Sequence, residues 1–367
     1  MTTEKKPDKT LALAAAAAFL AIVAVALVAA IVGRDWIRTQ LEKTAPTPSP
    51  AAKNYELRRL DFPSMSKAQR DAFDVAILHD DAVREWWYLN AHLYDQFDNR
   101  FTLMIAMLKD GRLFGIVAEH TADITIPILA PQTTASHDAY ARSYTIGDAT
   151  ITQPDPKFLC YTFDFKHERL ALDLEVCANK PPLIVDQDGQ VRMGEKGHSW
   201  YYSVTNANIR GTGLLDDKAV TLQGRAWMDR QWGNWYVDDF DRWDWYSLQL
   251  DGDTELLLFV FWKGDRIIHQ FGDVYLPDGT AKHGLKFNST PTSTWFSPRT
   301  GISWETSWTI SIPEYRANLI VTADFPDHEV DEVLWEGGVE IGGKWGGAPA
   351  KGRGFFEARR RGAEEKR

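Results

Sequence analysis

Two stretches of the chain set ionisable side chains among indole rings. One is EWWYLNAHL at Glu85–Leu93; the other runs from HSWYY at His198–Tyr202 to GRAWMDRQWGNW at Gly224–Trp235. Of the 15 tryptophans, Trp227, Trp232, Trp235, Trp243 and Trp245 fall within 19 residues, interleaved with Asp229, Arg230, Asp239, Asp241 and Asp244. A carboxyl ringed by indoles is either paired or pushed towards its protonated form, and can then act as a general acid. Aromatic faces beside it can stabilise a developing carbocation. Strand alternation puts His198, Trp200 and Tyr202 on one face, opposite Ser199, Tyr201 and Ser203. It likewise groups Trp227, Asp229 and Gln231 against Met228, Arg230 and Trp232. If both segments line one cavity, His198, Trp200, Trp227 and Asp229 converge as catalytic candidates and Arg230 points away. Tyr202, Trp87 and Glu85 are the candidates for ligand contact. A structural reading stands beside this one: Asp229 and Arg230 pair within the sheet, and Glu85 opens a strand whose Trp86 or Trp87 packs in a core.

Other constellations are weaker. The run Asp238-Asp239-Phe240-Asp241-Arg242-Trp243-Asp244 has calcium-type oxygen ligands but not the EF-hand glycine and terminal glutamate, so a solvated acidic loop is expected. His92, His120, His137 and His198 show no metal-ligand spacing, and no metal is assigned. There is no phosphate-binding Gly-rich loop, dinucleotide fingerprint or nucleophile-elbow serine, and no cofactor is implied. The stretch Gly337–Gly343 reads as turns and bulges.

The elements that must position these residues are strands. Short β-branched and aromatic runs alternate with Gly, Pro, Asn and Asp, as in Phe101–Leu108, Phe158–Phe165, Leu170–Val176, Glu255–Trp262, Ile267–Leu276 and Trp304–Ile312. That pattern is many-stranded, antiparallel and all-β. Trp87-Tyr88-Leu89 followed by Phe101–Leu108 is echoed by Trp245-Tyr246-Ser247-Leu248 followed by Leu256–Trp262, a spacing suited to a duplicated domain. The two cysteines, Cys160 and Cys177, share one face of a hairpin, diagonal in one register and directly opposed in another. A bridge and free thiols are both open.

The net charge of −10 argues against nucleic acid as a partner of the folded part. Leu11–Val32 carries no charge and, as a helix, spans about 33 Å, enough for a bilayer core. With Lys5, Lys6 and Lys9 before it, a retained transmembrane anchor is expected, after a cytoplasmic tail of residues 1–10; a cleaved signal is the rival. The expected location is the inner membrane, single-pass, with the folded part extracytoplasmic. Residues 33–54 then form a linker ending in a Pro/Ala-rich spacer.

EWWYLNAHL, HSWYY, GRAWMDRQWG and the closing LWEGGVEIGGKW…GRGFFEARR together resemble the AttH-like / carotenoid 1,2-hydratase family of lipocalin-like proteins. The resemblance implies two lipocalin-like β-barrel domains packed together, expected over residues 55–225 and 226–362. It implies an apolar cavity and a hydratase adding water to an isoprenoid-like or lipid-like C=C bond. Carried onto this sequence, the acid and its neighbours are Asp229, His198, Trp200 and Trp227. A non-catalytic carrier of a hydrophobic ligand, serving an ABC-type export system, is the alternative.

Overall fold

The computed structural model describes residues 55–360 except 122–123 and 237–238. The expected anchor at Leu11–Val32 and the linker lie outside the described residues. Among the described residues no helix is long and apolar enough to cross a membrane.

Two antiparallel sheets make up the described chain. The first has thirteen strands, from Arg84–Tyr94 to Lys218–Asn234, and the second nine, from Arg242–Leu250 to Ala348–Arg360. Among the described residues between Tyr55 and Gly213 the α-helical content is a single helix, Lys67–Ala72, closed at its start by a Ser66/Gln69 capping box. The apolar runs fall where the alternation puts them: Arg100–Leu108, Cys160–His167, Leu170–Ala178, Thr254–Lys263, Arg266–Tyr275 and Ser303–Ile312 are all strands.

Each sheet has its own apolar core. Leu89, Leu103, Ile128, Ile146, Phe163, Leu174 and Ile209 come from strands spread across the first sheet, yet they pack in one cluster. The sheet must curl for its distant strands to share a core. Tyr246, Leu258, Trp308, Leu319, Trp335 and Phe356 do the same for the second. A third cluster draws on both sheets: Tyr88, Met104, Tyr201 and Trp227 from the first, and Trp245, Phe259 and Phe355 from the second. It joins two curved sheets back to back, and each fully buried side chain of this size contributes roughly 2 kcal/mol.

The sheets are wired alike. The strand that opens each one pairs with its successor on one side and with the last strand of its sheet on the other. Arg84–Tyr94 and Arg242–Leu250 are thus equivalent, as the sequence echo suggests. The echo is one residue out of phase, however. Trp87 points into the first sheet's own core and Trp245 into the layer between the sheets. Tyr88 is the residue that meets Trp245, edge to face at 5.4 Å. The first sheet ends at Asn234 and the second begins at Arg242, so residues 226–234, expected in the second unit, complete the first sheet.

Cys160 and Cys177 sit directly opposite each other and are joined by a disulfide. Tyr161, Phe163, Leu172 and Leu174 fill the core on the other face of that hairpin. The Gly337–Gly343 stretch is not a set of turns; it lies within the strand Leu334–Trp345. A Cβ on Gly337 would come within 2.1 Å of the His328 ring, and one on Gly338 within 2.5 Å of Asp324 and Thr102. Gly338 lets the two sheets approach closely, and Gly337 makes room for the His328 ring.

Candidate functional site between the sheets

A cavity of about 250 Å³ opens in the layer between the sheets. Its inner wall carries Tyr88, Tyr201 and Asp229 from the first sheet, and Trp243, Trp245, Glu336 and Glu357 from the second. All seven are placed by period-two alternation. Trp86 and Tyr88 face the cavity from one strand, Asp229 and Gln231 from the next, and Glu357 and Arg359 from the last.

Asp229 is buried and held by three donors. Ser203 Oγ and Trp227 Nε1 donate to Oδ1, and Tyr201 Oη donates to Oδ2, each at 2.6 Å. Trp245 Nε1 donates in turn to Tyr201 Oη at 2.9 Å. Burial raises the Asp229 carboxyl to about 7, against the opposing pull of those three hydrogen bonds. Across the cavity, Glu336 and Glu357 are directly opposed on neighbouring strands. The Tyr88 hydroxyl donates to Glu336 Oε1, and Trp243 Nε1 donates to Glu357 Oε1 at 2.6 Å. Burial, and then the charge of Glu357, push Glu336 well above the usual carboxylate range. Glu357, partly open to the cavity, is raised by burial to about 7, with Trp243 and Arg359 opposing. Asn90 Nδ2 donates to Tyr88 Oη and to Ser247 Oγ, both at 3.0 Å, and so fixes the phenol from behind. Three carboxyls around one apolar space cannot all ionise cheaply, so the group retains protons at neutral pH.

This has a consequence for stability. A carboxyl whose folded pKa lies near 7 and whose unfolded pKa lies near 4 binds more protons when folded. Its contribution to stability is greatest at low pH and falls as pH rises from about 4 through 7. Asp229→Asn is therefore expected to flatten the decline in thermal midpoint between pH 5 and pH 8, read by scanning calorimetry. An unchanged slope would place the titration elsewhere.

Asp229 and Trp227 lie at the site, and Arg230 points away from Asp229, as alternation requires. The other expected neighbours do not converge there. Ser203 pairs with Asp229 and Tyr201 with Gln231, so Ser199, Tyr201 and Ser203, ahead of the bulge, share the Asp229 face. His198 and Trp200 are exposed on the opposite face, and Tyr202 stacks on Trp232 at 5.7 Å. Trp87 lies in the first core under the Arg230 guanidinium, 4.2 Å from its ring centre. Glu85 is buried against Arg230 and His79 rather than in the cavity. Nor is the described part of the acidic run, residues 239–244, simply solvated: Asp239 caps the Lys196 N–H at 3.1 Å, and buried Asp244 pairs with Arg242 and the Trp262 indole.

Sequence reasoning passed over Tyr88, Tyr201, Glu336 and Glu357. A signal for Glu336 was present. It lies two residues from Gly338 on one strand face, among apolar residues where an unpaired carboxylate is out of place. Among the described residues, the only His, Cys, Asp or Glu group tight enough for a metal ion is Cys160, Glu175 and Cys177, and both sulfurs are committed to the disulfide.

The same fold occurs in solved structures. An AttH candidate from Nitrosomonas europaea superposes with a TM-score of 0.68 at 21% identity, covering 85% of this chain and 98% of that one. Kievitone hydratase from Nectria haematococca superposes with a TM-score of 0.70 at 14% identity, covering 83% of this chain and 96% of that one. No curated protein matches the sequence. The AttH-like family model matches residues 127–359, more than half of the chain and parts of both sheets, and the chain belongs to that family.

Proposed function

We propose that the protein is a hydratase that adds water across the C=C bond of an isoprenoid-like or lipid-like substrate. The observation that carries this is the trio Asp229, Glu336 and Glu357 facing one aromatic-walled cavity. Kinship of fold with kievitone hydratase supports it.

Hydration needs a proton donor, a shelter for the cation and a base for water. Glu336 is the donor. Tyr88 occupies its Oε1, which leaves Oε2 to carry the proton, and its surroundings hold it protonated. Transfer of that proton to one alkene carbon leaves a carbocation at the other, bordered by the Trp243 and Trp245 rings and the Glu357 carboxyl. Water attacks the cation through oxygen and gives its surplus proton to Asp229 Oδ2, which Tyr201 alone contacts. The product carries one new C–H and one new C–O bond. Glu336 ends ionised and Asp229 protonated, and exchange with solvent restores both. Three donors around Asp229 suit it to the ionised role better than to the acid role that its indole neighbours suggest in the sequence.

Hydrophobic substrates and the Cys160–Cys177 bridge both suit an extracytoplasmic enzyme, in keeping with an N-terminal anchor in the inner membrane. The test is incubation of the purified full-length chain with trisubstituted isoprenoid alkenes in ¹⁸O-labelled water. Labelled alcohol is expected. Ligand binding with no label in any product would overturn the hydratase reading and leave a carrier, for which an ABC-type exporter is the natural partner.

A further inference from the structure

Part of the cavity wall has no role in the hydration chemistry. On the strands Arg84–Tyr94 and Lys218–Asn234, Tyr88 stands opposite Asp229, and the next pair on the same face is Trp86 opposite Gln231. Gln231 is buried and its amide is oriented: Nε2 donates to Ser199 Oγ at 2.7 Å and to Met193 Sδ at 3.4 Å. A thioether sulfur only accepts, so the nitrogen is the atom on that side and Oε1 is turned away from it. Among the described residues Oε1 has no partner. The indoles of the same wall divide in the same way. Trp243 and Trp245 give their N–H groups to Glu357 and Tyr201. Trp86 is half-buried, its ring is held edge to face against Trp235 at 5.2 Å, and among the described residues its Nε1 meets no acceptor. Neither Gln231 Oε1 nor Trp86 Nε1 is sealed off by protein, and both residues line the cavity.

One donor and one acceptor therefore stand on directly opposed residues, about 7 Å along the strands from the Tyr88–Asp229 pair. We propose that the ligand carries a hydroxyl group that binds between them, accepting from Trp86 Nε1 and donating to Gln231 Oε1. A hydroxyl does both through one oxygen. A carboxylate would only accept, and would face the Gln231 oxygen in a cavity that already holds Asp229, Glu336 and Glu357. An ammonium would only donate, and would leave the indole N–H unmet. Buried polar groups that pair with a ligand hydroxyl reject the analogue that lacks it, because they are then left unpaired. The pair thereby selects an alcohol or phenol whose double bond stands about 7 Å from the hydroxyl, the step from Trp86 and Gln231 to the reacting end of the cavity. The position of the double bond rests on the hydratase reading; recognition of the hydroxyl does not.

The probes are citronellol, an isoprenoid alcohol with a trisubstituted alkene towards the far end of its chain, and its methyl ether, which keeps the acceptor and loses the donor. Each is titrated against the full-length chain by quenching of tryptophan fluorescence. The alcohol is expected to bind at least about tenfold more tightly than the ether, which leaves Gln231 Oε1 unpaired. Gln231→Leu is expected to remove that preference by weakening the alcohol and leaving the ether unchanged. The unchanged ether affinity shows that the variant is folded with its cavity intact. Trp86→Phe keeps an aromatic ring and removes the N–H, and is expected to weaken alcohol and ether alike by severalfold. Equal binding of alcohol and ether by the unaltered protein would overturn the proposal, as would failure of both to bind. So would a preference that survives Gln231→Leu, or alcohol binding untouched by Trp86→Phe. Alcohol-selective binding with no ¹⁸O label in the product of any alkene alcohol would instead overturn the hydratase reading and leave the hydroxyl site standing.

Discussion

Glu336→Gln is expected to lower the hydration rate by about 10²–10⁴-fold, the usual cost of losing a general acid, while ligand affinity stays within a few-fold of the unaltered protein. The substitution keeps the shape of the side chain and its acceptor for the Tyr88 hydroxyl, and removes only the transferable proton. Asp229→Asn should also suppress turnover, through loss of the base, but the two differ in how activity follows pH. With both carboxyls present, activity rises as Asp229 ionises near 7 and falls again as Glu336 deprotonates at higher pH, since the reaction needs one group ionised and the other protonated. These are apparent values of a coupled set, because Glu357 is raised to about 7 beside them. Asp229→Asn should abolish the rising limb of any residual activity, whereas Tyr88→Phe should shift the falling limb. A Glu336→Gln protein that hydrates at full rate would remove Glu336 from the chemistry and return the acid role to Asp229 or Glu357.

The fold class was legible because alternation with period two survives in nearly every strand, and the apolar runs fell where strands occur. The face of each residue was legible only within a strand, and one bulge decided the rest. Leu215 and Lys218 flank the hairpin turn, and straight pairing from that turn would set Val204 opposite Asp229. His198, Trp200 and Tyr202 would then share the Asp229 face. In the structure the register shifts between Val204 and Ala207, Ser203 takes the place opposite Asp229, and Ser199, Tyr201 and Ser203 turn to the Asp229 face. The bulge is held by Asn179 of its own sheet, through the Asn206 side chain and carbonyl, and by the other sheet. Asn206 Nδ2 donates to Glu255 at 2.7 Å, and the Thr205 carbonyl accepts from Gln249 Nε2 at 2.8 Å. No local signal in the sequence announces contacts between residues more than forty positions apart. The same limit explains Glu336 and Glu357. Their opposition is a register fact within the second sheet, and their nearness to Asp229 depends on how two sheets pack. The echo between Trp87 and Trp245 found the equivalent strands but not the phase, since a bulky aromatic serves equally well on either face.

The second large effect is expected on the opposite face of the same strands. Glu85→Ala should destabilise the protein by about 3–5 kcal/mol, because it leaves the Arg230 guanidinium buried without its counter-charge. Arg230 is fully buried between Trp87 and Trp232, donates to the Trp86 carbonyl at 3.1 Å and meets Glu85 as its carboxylate partner. Burial alone would raise the Glu85 pKa; hydrogen bonds from the His79 ring and backbone, together with the Arg230 charge, outweigh it and hold the carboxyl at about 2. A carboxylate depressed in the folded state stabilises fully above its unfolded value, near 4.3, and loses that contribution as pH falls towards 2. Urea titrations should therefore show the unaltered protein weakening between about pH 5 and pH 2, and Glu85→Gln weakening less over that window. The direction is opposite to that of Asp229, whose contribution falls as pH rises, so the two carboxyls are separable in one set of titrations. Replacing the pair together by Glu85→Leu and Arg230→Met should recover much of the loss, since a buried ion pair often does little better than an apolar pair of similar volume. If Glu85→Ala unfolds at the same urea concentration as the unaltered protein, the pair is not what holds these strands. The placement of Tyr88 and Asp229, which sit opposite each other on the two strands that Glu85 and Arg230 join, must then come from the indoles alone.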